Sequence, residues 1–465
     1  MRGESEATLR RSLVAALALG LVAAPAVVGT ASAAARSEPR CAASVPYTAG
    51  QDGYDTYRIP AVVRTGAGTV LAFAEGRHDG KGDTGDIDVV LRRSADGGCT
   101  WGPLRVVTAG DGDTRGNPAP VVDPRSDRVV LLTCFNGGRV TEAQIMRGEA
   151  ARGLGRRVFV QTSGDDGRHF SAPREITGAV KRPGWRWYAT GPGHAIALRH
   201  GPHAGRLVVP ADHSSAPPPG SADTGREPRY YGGHALYSDD GGQDWRLGFV
   251  DASYDGRLNV NESGVAELPD GRLYFSARDQ NGTGGSGGHR LDAYSRDGGR
   301  TLSRPYAVQP GLNDVPVVQG SVLQLPGRRA PLLFSGPSVP HARRGMAVWS
   351  STDAGGTFTR ATTLSARPAA YSDLVPLGSG RVGILYETGE SGPYARIEFR
   401  RLAAAALAPA APTRPIPGGS APRPPDGLTY PARPAFEDEP FGRAGVQGAA
   451  APWRGPGRSP RGRVG

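Results

Sequence analysis

Lysine is almost missing from this chain. Among 55 basic residues in 465 positions only Lys81 and Lys181 are lysine, and arginine makes up the rest. A GC-rich coding sequence produces that bias, so it says little about partners. Cysteine is nearly as scarce. Cys41, Cys99 and Cys134 allow at most one disulfide with one thiol left over, and no CxxC pair or zinc-ligand spacing is present. Long apolar runs are also rare: residues 13–28 form one, and no second stretch of membrane length follows. Amphipathic helical periodicity is confined to residues 141–152. The net charge of +11 would suit nucleic acid. However, no basic helix and no aromatic–basic stripe accompany it, so an anionic small substrate fits better.

What is abundant is turn chemistry. Glycine (69) and proline (41) break the chain into short apolar runs. Thr69-Val70-Leu71-Ala72-Phe73, Arg206-Leu207-Val208-Val209 and Arg381-Val382-Gly383-Ile384-Leu385-Tyr386 are examples. This β text extends from about residue 45 to residue 402. Before it, residues 1–33 read as a secretory signal, with Arg10 and Arg11 ahead of the apolar run and Ala31-Ser32-Ala33 as a small-residue cleavage site. Residues 403–465 are rich in Ala, Pro, Gly and Arg with little alternation, and read as a disordered tail. An exported, monomeric protein without stable membrane insertion is expected.

One octet recurs. Ser94-Ala95-Asp96-Gly97-Gly98-Cys99-Thr100-Trp101 shares its skeleton (Ser, one residue, Asp, one residue, Gly, two residues, large apolar) with octets starting at Ser163, Ser238, Ser295 and Ser351. The repeat implies a supersecondary unit used again and again. Its Asp can accept hydrogen bonds from backbone N–H groups just ahead, and its Gly supplies a positive φ. The octet resembles the Asp-box of sialidases and related β-propellers. The resemblance implies an all-β, six-bladed β-propeller with one blade lacking a recognisable box.

The same resemblance extends to residues that carry chemistry. Tyr57-Arg58-Ile59-Pro60 is similar to the Arg-Ile-Pro motif ahead of the first box in sialidases. It implies that Arg58, with Arg278 and Arg343, clamps a substrate carboxylate, a task suited to planar guanidinium groups. Arg344 is an adjacent competitor for the third place. The acidic loop Gly82-Asp83-Thr84-Gly85-Asp86-Ile87-Asp88 does not have calcium-loop spacing; in the family the matching loop supplies the general acid/base, here Asp83 with Asp86 as alternate. Tyr371, in Ala370-Tyr371-Ser372, matches the nucleophile. A phenol approaches an anomeric carbon that bears a carboxylate without like-charge repulsion, but its ordinary pKa near 10 demands a partner base. Glu262, in Asn261-Glu262-Ser263, matches that base. Glu387 matches the acid that orients Arg58, and Arg77 a further pocket arginine. Asn117 is a candidate for the N-acetyl pocket, and Trp185, Trp187 and Tyr188 for an aglycone or glycerol-chain wall. His194 reads as structural.

The resemblance therefore implies a retaining exo-α-sialidase that removes terminal sialic acids from oligosaccharides, glycoproteins or glycolipids, with no metal and no cofactor. The alternatives are a non-catalytic sialoglycan-binding propeller, a transferring or intramolecular sialidase, and a hydrolase of a related 2-keto-3-deoxy sugar acid.

Overall fold

The computed structural model describes residues 41–251, 256–280 and 289–408. The expected leader and most of the expected tail lie outside these residues. The described chain is an all-β propeller built from antiparallel meanders.

Three sheets are simple four-strand units. One is Val260–Glu267, Leu273–Asp279, Arg290–Ser295 and Arg304–Val308. The next is Ser321–Gln324, Leu332–Val339, Ala342–Ser351 and Thr359–Thr363. The last is Ala369–Gly378, Arg381–Thr388 and Arg396–Ala403, with Ala43–Thr48 from the other end of the described chain as its outer strand. Another sheet joins Trp185–Thr190, Leu207–Ser215, Tyr231–Ser238 and Arg246–Val250, with short Ile196–Ala197 added. The remaining sheet has eight strands. It consists of two meanders, Thr56–Arg64 to Arg105–Thr108 and Thr114–Asp123 to Arg174–Glu175, joined by a single parallel pair, Ile87 with Thr114.

Burial explains the strand texts. Middle strands such as Val70–Arg77 are buried along their whole length, because each sheet is covered on both faces by its neighbours. They therefore read as continuous apolar runs rather than alternating ones. Outer strands such as Thr359–Thr363 are mostly exposed and polar. Between the second and third meanders, Val130, Leu132, Val209, Leu236 and Trp245 share one apolar cluster.

The octets occupy the turns from third to fourth strand. In the first, Asp96 accepts from the backbone N–H groups of Cys99 and Thr100, both at 3.0 Å, and from the hydroxyls of Ser94 and Thr100, both at 2.6 Å. Asp165, Asp240, Asp297 and Asp353 repeat the pattern. Gly98 has φ +89°, and a Cβ there would lie 2.0 Å from the Phe399 ring, so no other residue fits. The meander closed by Ala43–Thr48 has no octet for a topological reason. Its fourth strand does not follow its third in sequence, so no turn joins them. A Cys41–Cys99 disulfide ties that closing strand to the first octet, and the Trp101 indole donates to Ser44 Oγ at 2.8 Å. Cys134 is the leftover thiol and is buried.

Two boundaries differ from expectation. The expected helix is Glu142–Arg147, capped by Thr141 and Gln144, and it stops at Gly148, whose φ of +76° ends it earlier than residue 152; a second, one-turn helix, Thr177–Val180, lies outside the expected stretch. The folded chain continues past residue 402, because Ala404–Leu407 forms a further turn with Leu407 buried.

Candidate active site

The innermost strands carry irregularities that face a common pocket. Register shifts fall between Arg58 and Ala61, Gly116 and Ala119, Trp185 and Tyr188, Val260 and Ser263, and Ala369 and Ser372. Ile59 and Asn117 sit in two of them with φ of +57° and +53°, which is strained for a β-branched residue. A bulge re-aims the side chains beside it. Here the re-aimed residues Ile59, Asn117, Trp187, Glu262 and Tyr371 all line one pocket of about 220 Å³. Ser321–Gln324 shows no such shift, and the sheet it belongs to contributes Arg343 from another strand.

Tyr371 stands at the centre. Its hydroxyl donates to Glu262, whose oxygens lie at 2.6 and 2.8 Å, and accepts from Arg278 Nη1 at 3.3 Å. Arg278 also reaches Glu262 at 2.8 Å. Burial first, and then the Glu262 charge, push the Tyr371 phenol well above its ordinary pKa, while Arg278, Arg343 and Arg58 pull it back. Arg58 lies over the Tyr371 ring at 5.1 Å, and its Nε donates to Glu387 at 2.8 Å. Burial opposes the Arg58 charge, but Glu387 outweighs it and its pKa is raised. Glu387 is fully buried and also accepts from the N–H groups of Ile59 and Tyr371. It locks nucleophile candidate and arginine to one another. Arg343 lines the pocket, whereas Arg344 points to the Ala366 carbonyl outside it.

Asp83 occupies the mouth, with its side chain 60% exposed. Arg77 contacts it at 2.9 Å and Arg58 at 4.0 Å. Burial works to raise its pKa, but Arg77 and then Arg58 reverse the sign and hold it below the usual aspartate value. Arg77 is itself buried, and its donors are engaged by Glu75, the Lys81 and Gly82 carbonyls and Asp83. It presents the acidic loop rather than reaching free into the pocket. Asp86 accepts from Gly112 N and does not line the pocket.

Known proteins resemble this chain over most of its length. Residues 68–384 match the BNR repeat-like domain family. An exo-alpha-sialidase of Aspergillus fumigatus is 31% identical over 371 residues, covering 72% of this chain and 79% of the relative. This chain belongs to the sialidase family. A sialidase of Micromonospora viridifaciens is 30% identical over 407 residues, covering 84% of this chain; the chain spans 59% of that relative's length. Among solved structures, a Hadza microbial sialidase superposes with a TM-score of 0.67 at 27% identity, over 79% of this chain and 69% of that one.

Set within the sialidase family, the pocket gathers Arg58, Arg77, Asp83, Asn117, Glu262, Arg278, Arg343 and Tyr371, and Glu387 lies directly behind it. His194 is structural: its ring bonds Asp373 at 2.7 Å, and Asp373 also accepts from Val62 N and Ser321 Oγ. Of the three wall candidates only Trp187 lines the pocket. Trp185 stacks on His213 at 3.7 Å and Tyr188 is buried in the core. Sequence reasoning missed Glu75, Arg156 and Tyr394. Glu75 could have been found as an acid on the same strand face as Arg77, two residues away. Tyr394 receives Arg343 Nη1 at 2.6 Å and packs 4.1 Å from the Arg58 guanidinium. It comes from a loop, Ser391-Gly392-Pro393-Tyr394, with no pattern to mark it.

Proposed function

We propose that this chain is a retaining exo-α-sialidase on a six-bladed propeller, the eight-stranded sheet counting as two blades. Arg58, Arg278 and Arg343 hold the substrate carboxylate. Tyr371 attacks the anomeric carbon as its proton passes to Glu262, and the C–O bond to the leaving group breaks as Asp83 protonates that oxygen. Asp83, then ionised, takes a proton from water, the water oxygen displaces the phenol oxygen, and Glu262 returns the proton to Tyr371. The observation that carries this reading is the Tyr371 hydroxyl resting on both Glu262 oxygens beside Arg278. A non-catalytic binding protein has no use for that pairing.

The low pKa of free Asp83 is compatible with its acid role. A bound carboxylate offsets part of the Arg58 charge that keeps Asp83 ionised, so substrate itself raises the aspartate's proton affinity. Arg77 acts by positioning the Asp83 loop. Residues 1–33 direct export, and the natural substrates are sialylated glycoproteins and glycolipids. Among the described residues no helix is long and apolar enough to cross a membrane. The test is hydrolysis of an aryl α-sialoside followed by NMR from the first minutes. Release of the α-anomer supports the reading; release of the β-anomer first, or no turnover by folded protein, refutes it.

A further inference from the structure

The loop that carries Asp83 is fastened at its base by groups the mechanism does not use. His78 and Asp86 bracket residues 79–85, and the His78 N–H donates to the Asp86 carbonyl at 3.1 Å. Asp88 follows on the strand Ile87–Ser94. His78, Asp86 and Asp88 each offer one ligand atom, and the three atoms lie within 4.8 Å of one another. None of these residues lines the substrate pocket. The His78 side chain is 36% exposed and that of Asp88 8%, so the cluster is open to solvent on the histidine side and closed behind the aspartate.

The geometry is that of a ligand set more than of an isolated histidine–aspartate pair. His78 Nε2 and Asp88 Oδ2 are 3.4 Å apart, long for a hydrogen bond. Bonds of about 2.0–2.2 Å to one zinc ion put neighbouring ligand atoms at roughly that spacing. The carboxylates are also oriented from outside the cluster, by one turn. Gly110 N–H donates to Asp88 Oδ1 at 2.7 Å, and Gly112 N–H donates to Asp86 Oδ1 at 3.0 Å. The Tyr54 hydroxyl donates to Asp88 Oδ2 at 2.6 Å. Hydrogen bonds of this kind fix ligating carboxylates in metal sites. The donor set selects the ion. Calcium takes six to eight oxygens and magnesium prefers oxygen alone, whereas one imidazole with two carboxylates and water suits zinc.

We propose that His78, Asp86 and Asp88 form a binding site for a zinc-class divalent ion that clasps the base of the Asp83 loop. The ion takes no part in bond breaking; it restrains the loop. That consequence for Asp83 rests on the sialidase reading above, but the ion site does not. The full chain, without an affinity tag and freed of metal by chelation, is titrated with zinc chloride by calorimetry and by thermal melting. One ion per chain and a higher thermal midpoint are expected, both lost in His78→Ala, whose metal-free midpoint matches wild type. Endoproteinase Lys-C then reads the loop itself, because it cuts after lysine and the chain has only Lys81, inside the loop, and Lys181. With zinc at about 100 times its dissociation constant, cleavage after Lys81 should slow by up to ~100-fold, with cleavage after Lys181 unchanged. The absence of zinc binding, binding that survives His78→Ala, tighter binding of calcium than of zinc, or equal slowing of Lys81 cleavage in the variant overturns the proposal. Asp86→Asn serves if His78→Ala lowers the metal-free midpoint. Zinc bound as expected by a chain that turns over no sialoside sustains the ion site and defeats the sialidase reading alone.

Discussion

The outer and inner ends of the strands use related backbone devices for opposite purposes. At the outer turns, each octet aspartate is satisfied by groups within four residues of itself, and the same solution appears five times. At the inner ends, a bulge re-aims the chain and a buried carboxylate receives the freed N–H from far away. Glu75 receives Asn117 N across 42 residues, and Glu387 receives Ile59 N across 328. The outer devices are local, redundant and mostly exposed. The inner ones are long-range, each unlike the next, and buried. The turns thus repeat one local solution, while the pocket rests on single, unrepeated residues.

The comparison breaks most sharply at Tyr371. Tyr371→Phe is expected to lower kcat by about 10³-fold or more, as removal of a nucleophile does elsewhere, with a thermal midpoint close to wild type. A variant above a tenth of wild-type activity would show that the inner pocket does not work through this phenol. Asp83→Ala should lose about 10²–10⁴-fold on a glycoside with a poor leaving group and much less on an activated aryl glycoside, because only the former needs a proton. Equal losses on both would remove Asp83 from the acid role.

A smaller effect separates positioning from contact. Arg77 is the largest influence lowering the Asp83 pKa, so Arg77→Gln raises it. The acid then stays protonated to higher pH, and the alkaline limb of kcat/KM moves upward. A limb that stays put or moves down contradicts the arrangement. The smallest effect on chemistry belongs to the outer turns. Asp96→Ala should cost about 0.5–2 kcal/mol, the scale of losing a side-chain cap, and leave kcat/KM of the folded protein unchanged. The pKa of Asp96 is lowered: burial pushes it up, but its hydrogen bonds to Ser94 and Thr100 prevail. The stability it contributes is therefore full above the ordinary aspartate value of 3.8 and is lost as pH falls through the lower folded value. Asp96→Ala should flatten that acid slope, and an unaltered slope would show that the octet carboxylate is not held as an anion.

This contrast also governs what could be read from the sequence. The octets were legible because a local solution leaves a local pattern. The family resemblance found Arg58, Asp83 and Tyr371 because short motifs surround them. It could not find Tyr394, which holds two arginines from a loop, or Arg156, one of an Arg156-Arg157 pair ahead of a strand. The bulges leave little trace either. Pro60 and Pro118 lie within two of them, and the others contain no proline or glycine. The absent sixth octet became explicable only when Ala43–Thr48 was found to complete the last sheet, a fact of topology that no window of sequence contains.

The most direct measurement is covalent trapping. The full chain is incubated with a 3-fluorinated sialosyl fluoride, in which the fluorine beside the anomeric centre slows turnover of the intermediate, and is then digested and mapped by mass spectrometry. The expected result is one adduct, on the peptide bearing Tyr371, absent from Tyr371→Phe. An adduct on Glu262 or Asp83, or turnover of the reagent with inverted product and no adduct, would contradict the assignment of chemistry to that phenol.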